Sequence, residues 1–252
     1  MNSKKVRGSK NIFHLILLFT FLIILWLFPD AFRANRSITW YFSAIVISII
    51  FMIKYRSITK NDIIIAIILG IIFMIADPFV GITTMFAYAG GQSVFRNSTN
   101  KIVLIKGGNK KNIATTALLT VVVGVFLGIV NLFLANMEME INFGFGLDFV
   151  FKALKAGISE EIIFRFLLFA VCVHITKDKV LSKFENILCY GIMVLPHVLI
   201  HFTVFNIDVI NIIILSVLFG LPFALLQRKR DLSTAMGSHF LVDIIRFCVY
   251  RA

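Results

Sequence analysis

The sequence predicts an all-α fold: a polytopic transmembrane helical bundle of about eight helices in one integral membrane domain, residues 1–252. The composition is 59% hydrophobic with 27 Phe and only 15% charged residues, which leaves no room for a sizeable soluble domain. Apolar runs long enough to cross a bilayer recur along the whole chain. The basic residues that give a net charge of +12 fall between these runs, as in loops at anionic headgroups, and not on one face as in nucleic-acid-binding proteins.

The first apolar run, Ile12 to Pro29, follows a basic N-terminal stretch but has no small-residue cleavage site. We therefore expect an uncleaved transmembrane helix and not a removed signal peptide. Residues 1–136 are expected to form the N-terminal helices, and the chain continues with a second helical group over residues 147–250. The remaining regular spans are expected at Ile38 to Ile53, Ile113 to Asn136, Leu147 to Thr176, Asn186 to Val204, Ile207 to Leu226 and Ser233 to Tyr250.

The stretch Asp62 to Gly91 is long for one span and short for two. If the N-terminus is cytoplasmic and this stretch crosses twice or dips in and out, every strongly basic loop lies on the cytoplasmic side, and the acidic Glu138, Glu140 and Asp148 face outward. We therefore expect a broken or re-entrant segment at Asp77-Pro78, because proline removes a helical hydrogen bond. Asp77 is interpreted as a cap for that break.

Three charged residues, Glu160, Glu161 and Arg165, stand inside an apolar run. A charge near the bilayer centre costs about 2.5–3.5 kcal/mol on insertion scales, so such a cluster needs mutual pairing or a water-filled cavity. On an α-helix Glu161 and Arg165 would face each other, whereas Glu160 would point about 100° away. A carboxylate left over in a low-dielectric cavity suits a general base. The same cluster also fits a buried ionic link between helices or a transport path.

Two histidines in other predicted spans favour catalysis over packing. His239 lies four residues before Asp243, so the pair shares a helical face and can share a proton. His197 lies in a third helix, and His201, four residues on, is interpreted as interfacial because it is near the end of its span. Two histidines, a carboxylate pair and an arginine on three helices are difficult to explain as helix packing alone.

These residues resemble the three motifs of the CAAX protease and bacteriocin-processing family, also called CPBP or Abi, which are intramembrane proteases. The motifs are Glu-Glu-x-x-x-Arg, Phe-x-x-x-His, and His-x-x-x-Asn or Asp. The resemblance covers residues 147–250, which are thereby identified as the catalytic core, and the first half of the chain adds only compatible helices. The matching residues are, in motif order, Glu160, Glu161 and Arg165; His197, with Met193 where phenylalanine is usual; and His239 with Asp243.

The resemblance implies a metal-independent, cofactor-free endopeptidase of the glutamic type. Glu160 would be the general base, His197 would hold and polarise the water, and Glu161 would orient the site through Arg165. His239 and its motif partner would stabilise the oxyanion. An ionised Asp243 cannot donate a hydrogen bond, so it must be protonated or must orient His239 instead.

The sequence leaves several alternatives open. Phe166 replaces the glycine usual after the family's arginine, which would narrow the cavity, and the chain could be a catalytically weakened member retained for binding. A zinc peptidase could use His197, His201 and His239 as ligands with Glu160 as base. A non-catalytic membrane regulator or immunity protein could bind a peptide through the same polar cavity, and a transporter is a further class suggested by the Asp77-Pro78 break.

The expected partners are a membrane-associated peptide or protein substrate and the lipid bilayer, without nucleic acid. A chain rich in Ile, Phe, Lys and Asn suggests the cell membrane of a low-GC bacterium. There the family resemblance implies peptide maturation, bacteriocin self-immunity or surface signalling, and no oligomeric state is predicted.

Overall fold

The computed structural model of the chain describes residues 2–32, 35–74, 77–135, 140–177 and 180–251. Of the predicted positions, Met1, Asn136, Glu138 and Ala252 lie outside the described residues. Over the described ranges the chain is helical apart from short connections, and the β-structure found there is one isolated bridge between Thr203 and Asn206. The predicted all-α fold is confirmed.

The described residues form α-helices that are interrupted twice by π-helical segments. In chain order they are α1 (Asn2–Phe32), α2 (Arg36–Tyr55), α3 (Lys60–Met74), α4 (Pro78–Phe95), α5 (Lys110–Ala135), α6 (Leu147–Leu154), a first π-helical segment (Lys155–Phe166), α7 (Leu167–Thr176), α8 (Lys183–Leu199), α9 (Val209–Leu215), a second π-helical segment (Ser216–Gly220), α10 (Leu221–Lys229) and α11 (Leu232–Tyr250).

Five of the described helical stretches are long and apolar enough to cross a membrane. Large apolar side chains such as Phe42, Phe126 and Phe133 are exposed along them, which suits contact with lipid and not with water. The protein is therefore an integral membrane protein. The candidate spans are Lys10–Phe32, Arg36–Tyr55, Lys110–Ala135, Val209–Lys229 and Leu232–Tyr250.

The break predicted at Asp77-Pro78 is confirmed. Helix α3 ends at Met74 and α4 begins at Pro78, where the missing N–H of proline costs no helical hydrogen bond. The Asp77 carboxylate caps α4 by accepting hydrogen bonds from the backbone N–H groups of Phe79, at 3.1 Å, and Val80, at 3.3 Å. The sequence interpretation of Asp77 as a cap is thus correct.

Two predicted spans have shifted ends. The span predicted at Asn186 to Val204 is observed as α8, which starts earlier because Ser182 and Glu185 form a capping box, and ends at Leu199. The span predicted at Ile207 to Leu226 begins at Val209, because the Asp208 side chain accepts from the N–H of Asn211, and continues through the second π-helical segment to the end of α10.

The chain divides into two compact units. The first comprises Met1–Lys101 and Ile162–Leu221, and the second Ile102–Glu161 and Pro222–Ala252. In the first unit α4 packs against α2, α3 and α7, and α1 packs against α8. In the second unit α11 packs against α5 and α6. The first π-helical segment contributes residues to both units, since the boundary between them follows Glu161.

The run predicted as one helix from Leu147 to Thr176 is helical throughout but not α-helical throughout. Its middle, Lys155–Phe166, is π-helical. Because π-helical hydrogen bonds join residues five apart and widen the turn, the α-helical 100° spacing used above for Glu160, Glu161 and Arg165 does not apply, and that expectation is corrected. Interruptions of this kind in α-helices are frequent at functional sites.

Candidate active site

The predicted glutamates lie in the first π-helical segment, and a glycine sets how closely this segment approaches α11. A Cβ added at Gly157 would stand 2.5 Å from the backbone N of Phe240 and 2.7 Å from its Cα. Only a residue without a side chain permits this backbone approach. It brings the segment that carries Glu161 alongside the residue that precedes Phe240, which is His239.

Glu161 is completely buried, and each of its carboxylate oxygens has a partner in the second unit. Oε1 lies 2.9 Å from Nδ1 of His239. Oε2 accepts a hydrogen bond from Nε2 of Gln227 at 2.7 Å, and the same amide donates to the backbone carbonyl of Glu161 at 3.0 Å. A carboxylate is stable at such depth only when its oxygens are paired in this way. Glu161 is therefore held by named groups on both sides.

The imidazole of His239 is fixed from three directions. Nδ1 faces Glu161, Nε2 lies 3.5 Å from Oδ2 of Asp243, and Phe223 stacks on the ring with 4.7 Å between centroids and 15° between planes. Each ring nitrogen therefore has a carboxylate oxygen within 3.5 Å. A neutral imidazole has one N–H and can donate to one of them, whereas the imidazolium can donate to both.

The two neighbouring glutamates differ in exposure. Glu161 has no solvent-accessible surface, whereas Glu160 is partly exposed. Because the Glu161 carboxylate is buried with both oxygens paired, we interpret it as part of the structure that supports the site. Partial exposure allows the Glu160 carboxylate to meet a water molecule, which is the first geometric requirement of a general base.

His197 lies at the end of α8 in the first unit, and one face of its ring packs against an aromatic side chain. Its side chain is buried, and Phe164 stacks on its ring with 5.5 Å between centroids and 22° between planes. The other neighbour of Phe164 is Trp40, in an edge contact at 5.5 Å. His201 is exposed in the turn after α8, with its ring centroid 5.6 Å from that of His197.

Phe166, which stands where the family has glycine, packs into α4. Its ring stacks on Tyr88 at 5.6 Å and meets Phe95 edge-on at 5.0 Å. A Cβ at Gly91 would lie 2.4 Å from Cε1 of Phe166, so the ring fills space that a glycine on α4 leaves open. The expectation that Phe166 narrows the catalytic cavity stays a prediction.

The structure brings part of the predicted site together within each unit. In the second unit Glu161, His239 and Asp243 form a continuous polar chain, and in the first His197 lies beside His201. Arg165 is buried in the first unit. The predicted pairing of Glu161 with Arg165, and the cooperation of Glu160 with His197, stay predictions.

Sequence reasoning missed two residues that complete the surroundings of Glu161 and His239. Gln227 and Phe223 are four residues apart on α10, so they share a helical face. Both are almost completely buried, although Gln227 is polar and lies beside the basic end of its helix. The position of Gln227 on the same helical face as Phe223 could have indicated that its amide is buried, but the predicted span ended one residue before Gln227.

Comparison with known proteins agrees with the motif pattern. Residues 142–245 match the family model described as type II CAAX prenyl endopeptidase Rce1-like, and this range contains all six predicted site residues. Neither the curated proteins nor the solved structures contain a match to the chain. Residues 142–245, which make up less than half of the chain, are thus similar to the type II CAAX prenyl endopeptidases.

Proposed function

We propose that the protein is an intramembrane endopeptidase that hydrolyses a peptide bond of a membrane-associated peptide or protein with water activated by glutamate and histidine. The observation that carries the proposal is the difference in burial between the neighbouring residues Glu160 and Glu161. Glu161 is completely buried against Gln227 and His239, whereas Glu160 is partly exposed. One carboxylate thus serves the framework of the site, and its neighbour is accessible for chemistry.

The proposed reaction needs no metal. Glu160 removes a proton from water, and the water oxygen attacks the carbonyl carbon of the scissile bond to form a tetrahedral oxyanion. The carbon–nitrogen bond then breaks, and the proton held by Glu160 passes to the departing amine. The role of His197, which holds and polarises the water, rests on the family resemblance, as does the role of Arg165 in orienting the site.

His239 is proposed as the donor to the oxyanion, and its contacts favour one of the two roles left open for Asp243. With the Nδ1–H donated to Glu161, the hydrogen available to an oxyanion is on Nε2, which faces Asp243 at 3.5 Å. An ionised Asp243 favours the imidazolium, which carries that hydrogen. Asp243 therefore acts by orienting and charging His239, and a protonated aspartate is not needed as a second donor.

Comparative peptidomics tests the proposal in cells that express the wild type, Glu160→Gln or Asp148→Asn. Asp148 is an exposed carboxylate in α6, seven residues before the first residue of the π-helical segment that holds Glu160. Its replacement is therefore a matched loss of one charge. We expect a peptide product in the membrane or medium with the wild type and Asp148→Asn, and its loss with Glu160→Gln at equal membrane levels. Unchanged products or cellular function with Glu160→Gln would favour the non-catalytic regulator.

A zinc peptidase is the second candidate, because His197 and His201 lie within one turn of each other with ring centroids 5.6 Å apart. The purified enzyme should be incubated with a strong zinc chelator and assayed on the product-forming substrate. Full activity after chelation is expected for the glutamate mechanism. Loss of activity that added zinc restores would replace that mechanism with the metal-dependent one.

The biological setting is also proposed. If the basic loops share one side of the membrane, the positive-inside rule favours a cytoplasmic N-terminus, and the composition favours a bacterial cell. The identity of the peptide lost with Glu160→Gln would distinguish bacteriocin self-immunity, peptide maturation and surface signalling, since each supplies a different substrate.

A further inference from the structure

A cavity lined by both apolar and polar residues lies in the first unit, and none of the predicted catalytic residues lines it. It has a volume of about 640 Å³, within the range of small-molecule binding sites. Helices α1, α2, α4 and α7 contribute its walls. The lining residues are His14, Lys54, Tyr55, Val94, Asn97, Ser98, Val173, His174, Ile175 and Lys177.

The lining combines a cationic rim with an apolar floor. Lys54 and Lys177 are exposed at the rim, whereas Val94 and Val173 are buried. Among the residues that the structure describes, no Asp or Glu lines the cavity, and its charged lining residues are the two lysines. The cavity therefore suits a ligand with an anionic group at one end and an apolar portion behind it.

One of the ammonium groups is fixed in direction by a short hydrogen-bond chain. Lys54 Nζ lies 3.4 Å from Nε2 of His174, and Nδ1 of the same imidazole lies 2.6 Å from the hydroxyl of Tyr55. Since an ammonium group can only donate, Nε2 is the acceptor and the imidazole proton is on Nδ1, facing Tyr55. The Lys54 ammonium has three hydrogens, so two remain for an anion.

The cavity lies at the level of one membrane surface. Lys54 and Tyr55 are the last residues of the candidate span Arg36–Tyr55, and His14 is one turn inside the start of the candidate span Lys10–Phe32. Tyrosine is enriched at this level, and basic pockets between transmembrane helices bind lipid headgroups. We propose that this cavity binds the phosphate headgroup of an anionic phospholipid, with the glycerol portion against Val94 and Val173.

Thermal unfolding of the purified full-length protein in detergent tests the proposal. Samples are titrated with an anionic phosphatidylglycerol, with a phosphatidylcholine that has the same acyl chains, or with inorganic phosphate. The anionic lipid is expected to raise the Tm in a saturable way, because a ligand that binds the folded state stabilises it. Phosphatidylcholine and inorganic phosphate at the same concentration are expected to give much smaller shifts.

Single-lysine variants identify the cavity. Lys54→Gln and Lys177→Gln should each weaken the apparent affinity for the anionic lipid about fivefold, the factor that corresponds to about 1 kcal/mol for a lysine at a membrane surface. Lys60→Gln is the matched control, since Lys60 is exposed at the start of α3 and does not line the cavity. It should bind as the wild type does.

Other outcomes would overturn the proposal. Equal lipid affinity in the wild type and a Lys54→Gln, Lys177→Gln double variant would show that the lysines only complement the ends of α2 and α7. Equal shifts with phosphatidylcholine would indicate non-specific lipid binding, and equal shifts with inorganic phosphate would indicate a site for free anions. The assay uses no catalytic readout, so its result is independent of the proposed protease activity.

Discussion

The two motif histidines differ in the contacts described for their rings. In the second unit His239 has a carboxylate at each ring nitrogen, from Glu161 and Asp243. In the first unit the ring of the buried His197 stacks on Phe164, which in turn meets Trp40, and it also lies beside the ring of His201. One imidazole is therefore oriented mainly by charge, and the other has an aromatic face against it.

This difference matches the different tasks proposed for the two histidines. Carboxylates near both nitrogens favour the imidazolium form of His239. In this form both nitrogens carry a hydrogen, so one can bond to Glu161 while the other donates to an oxyanion. An aromatic ring fixes the plane of an imidazole without demanding a charge, which suits the water-holding role that the family resemblance implies for His197. The same residue type is thus proposed as a charged donor in one place and as a water-binding group in the other.

The largest effect is expected when Glu161 is replaced. Glu161→Ala removes the acceptor of two buried donors, on His239 and Gln227, and should cost about 3–5 kcal/mol of unfolding free energy, as when one partner of a buried pair is deleted. Glu161→Gln keeps an oxygen for Gln227 but presents amide hydrogens to Nδ1 of His239. It should therefore cost less stability while cleavage still falls about a hundredfold.

Denaturant unfolding in detergent and a cleavage assay on the same samples separate these two effects. Asp148→Asn serves as control for the loss of one carboxylate. Equal stability of Glu161→Ala and the wild type would mean that the contact of Glu161 with His239 contributes nothing, and the contrast between the two histidines would lose its basis.

A second test displaces the π-helical segment from α11 without touching a polar group. In Gly157→Ala the new methyl group would meet the backbone of Phe240 at 2.5–2.7 Å, and backbone cannot rotate away as a side chain can. We expect a loss of about 1–3 kcal/mol, as for overpacked cores, with a loss of cleavage. Gly191→Ala in α8 is the control, because a Cβ there has no atom within 4 Å. A fully active Gly157→Ala protein would contradict the role given to this approach.

A third test concerns the packing of Phe166 against α4 in the first unit. Gly91→Ala should cost about 1–2 kcal/mol, because its methyl group would collide with the Phe166 ring, which Tyr88 and Phe95 hold on other sides. Phe166→Leu should relieve the collision, so the double variant should be more stable than the sum of the single losses predicts. Strict additivity in a double-mutant cycle measured by thermal unfolding would show that the two residues do not compete for the same space.

Much of this fold could be predicted from the sequence because membrane spans are defined by composition and length. The all-α class and the break at Asp77-Pro78 follow from apolar runs and from one proline that cannot continue a helix. The motif residues could be recognised for the same reason, since charged and polar side chains are conspicuous within apolar runs.

The π-helical geometry could not be predicted, because it depends on a contact between distant residues. Gly157 allows α11 to approach, and nothing local in the residues 155–166 demands hydrogen bonds between residues five apart. The contribution of Gln227 was missed for a related reason, since it lies 66 residues from Glu161. Local patterns identify candidate residues, whereas their partners are set by tertiary packing.

The smallest expected effect distinguishes stacking from simple burial at His197. Phe164→Leu keeps an apolar side chain of similar size but removes the flat ring, and should cost about 0.5–1.5 kcal/mol beyond the area effect. Phe164→Tyr keeps the ring and should retain the stack. Phe133→Leu, at an exposed apolar position on α5, controls for the exchange itself. Because the ring fixes the plane of His197 and not its charge, Phe164→Leu should lower the cleavage rate while the pH optimum stays that of the wild type. A shifted optimum would instead mean that Phe164 controls the protonation of His197, and the division between a charge-held and a ring-held histidine would fail.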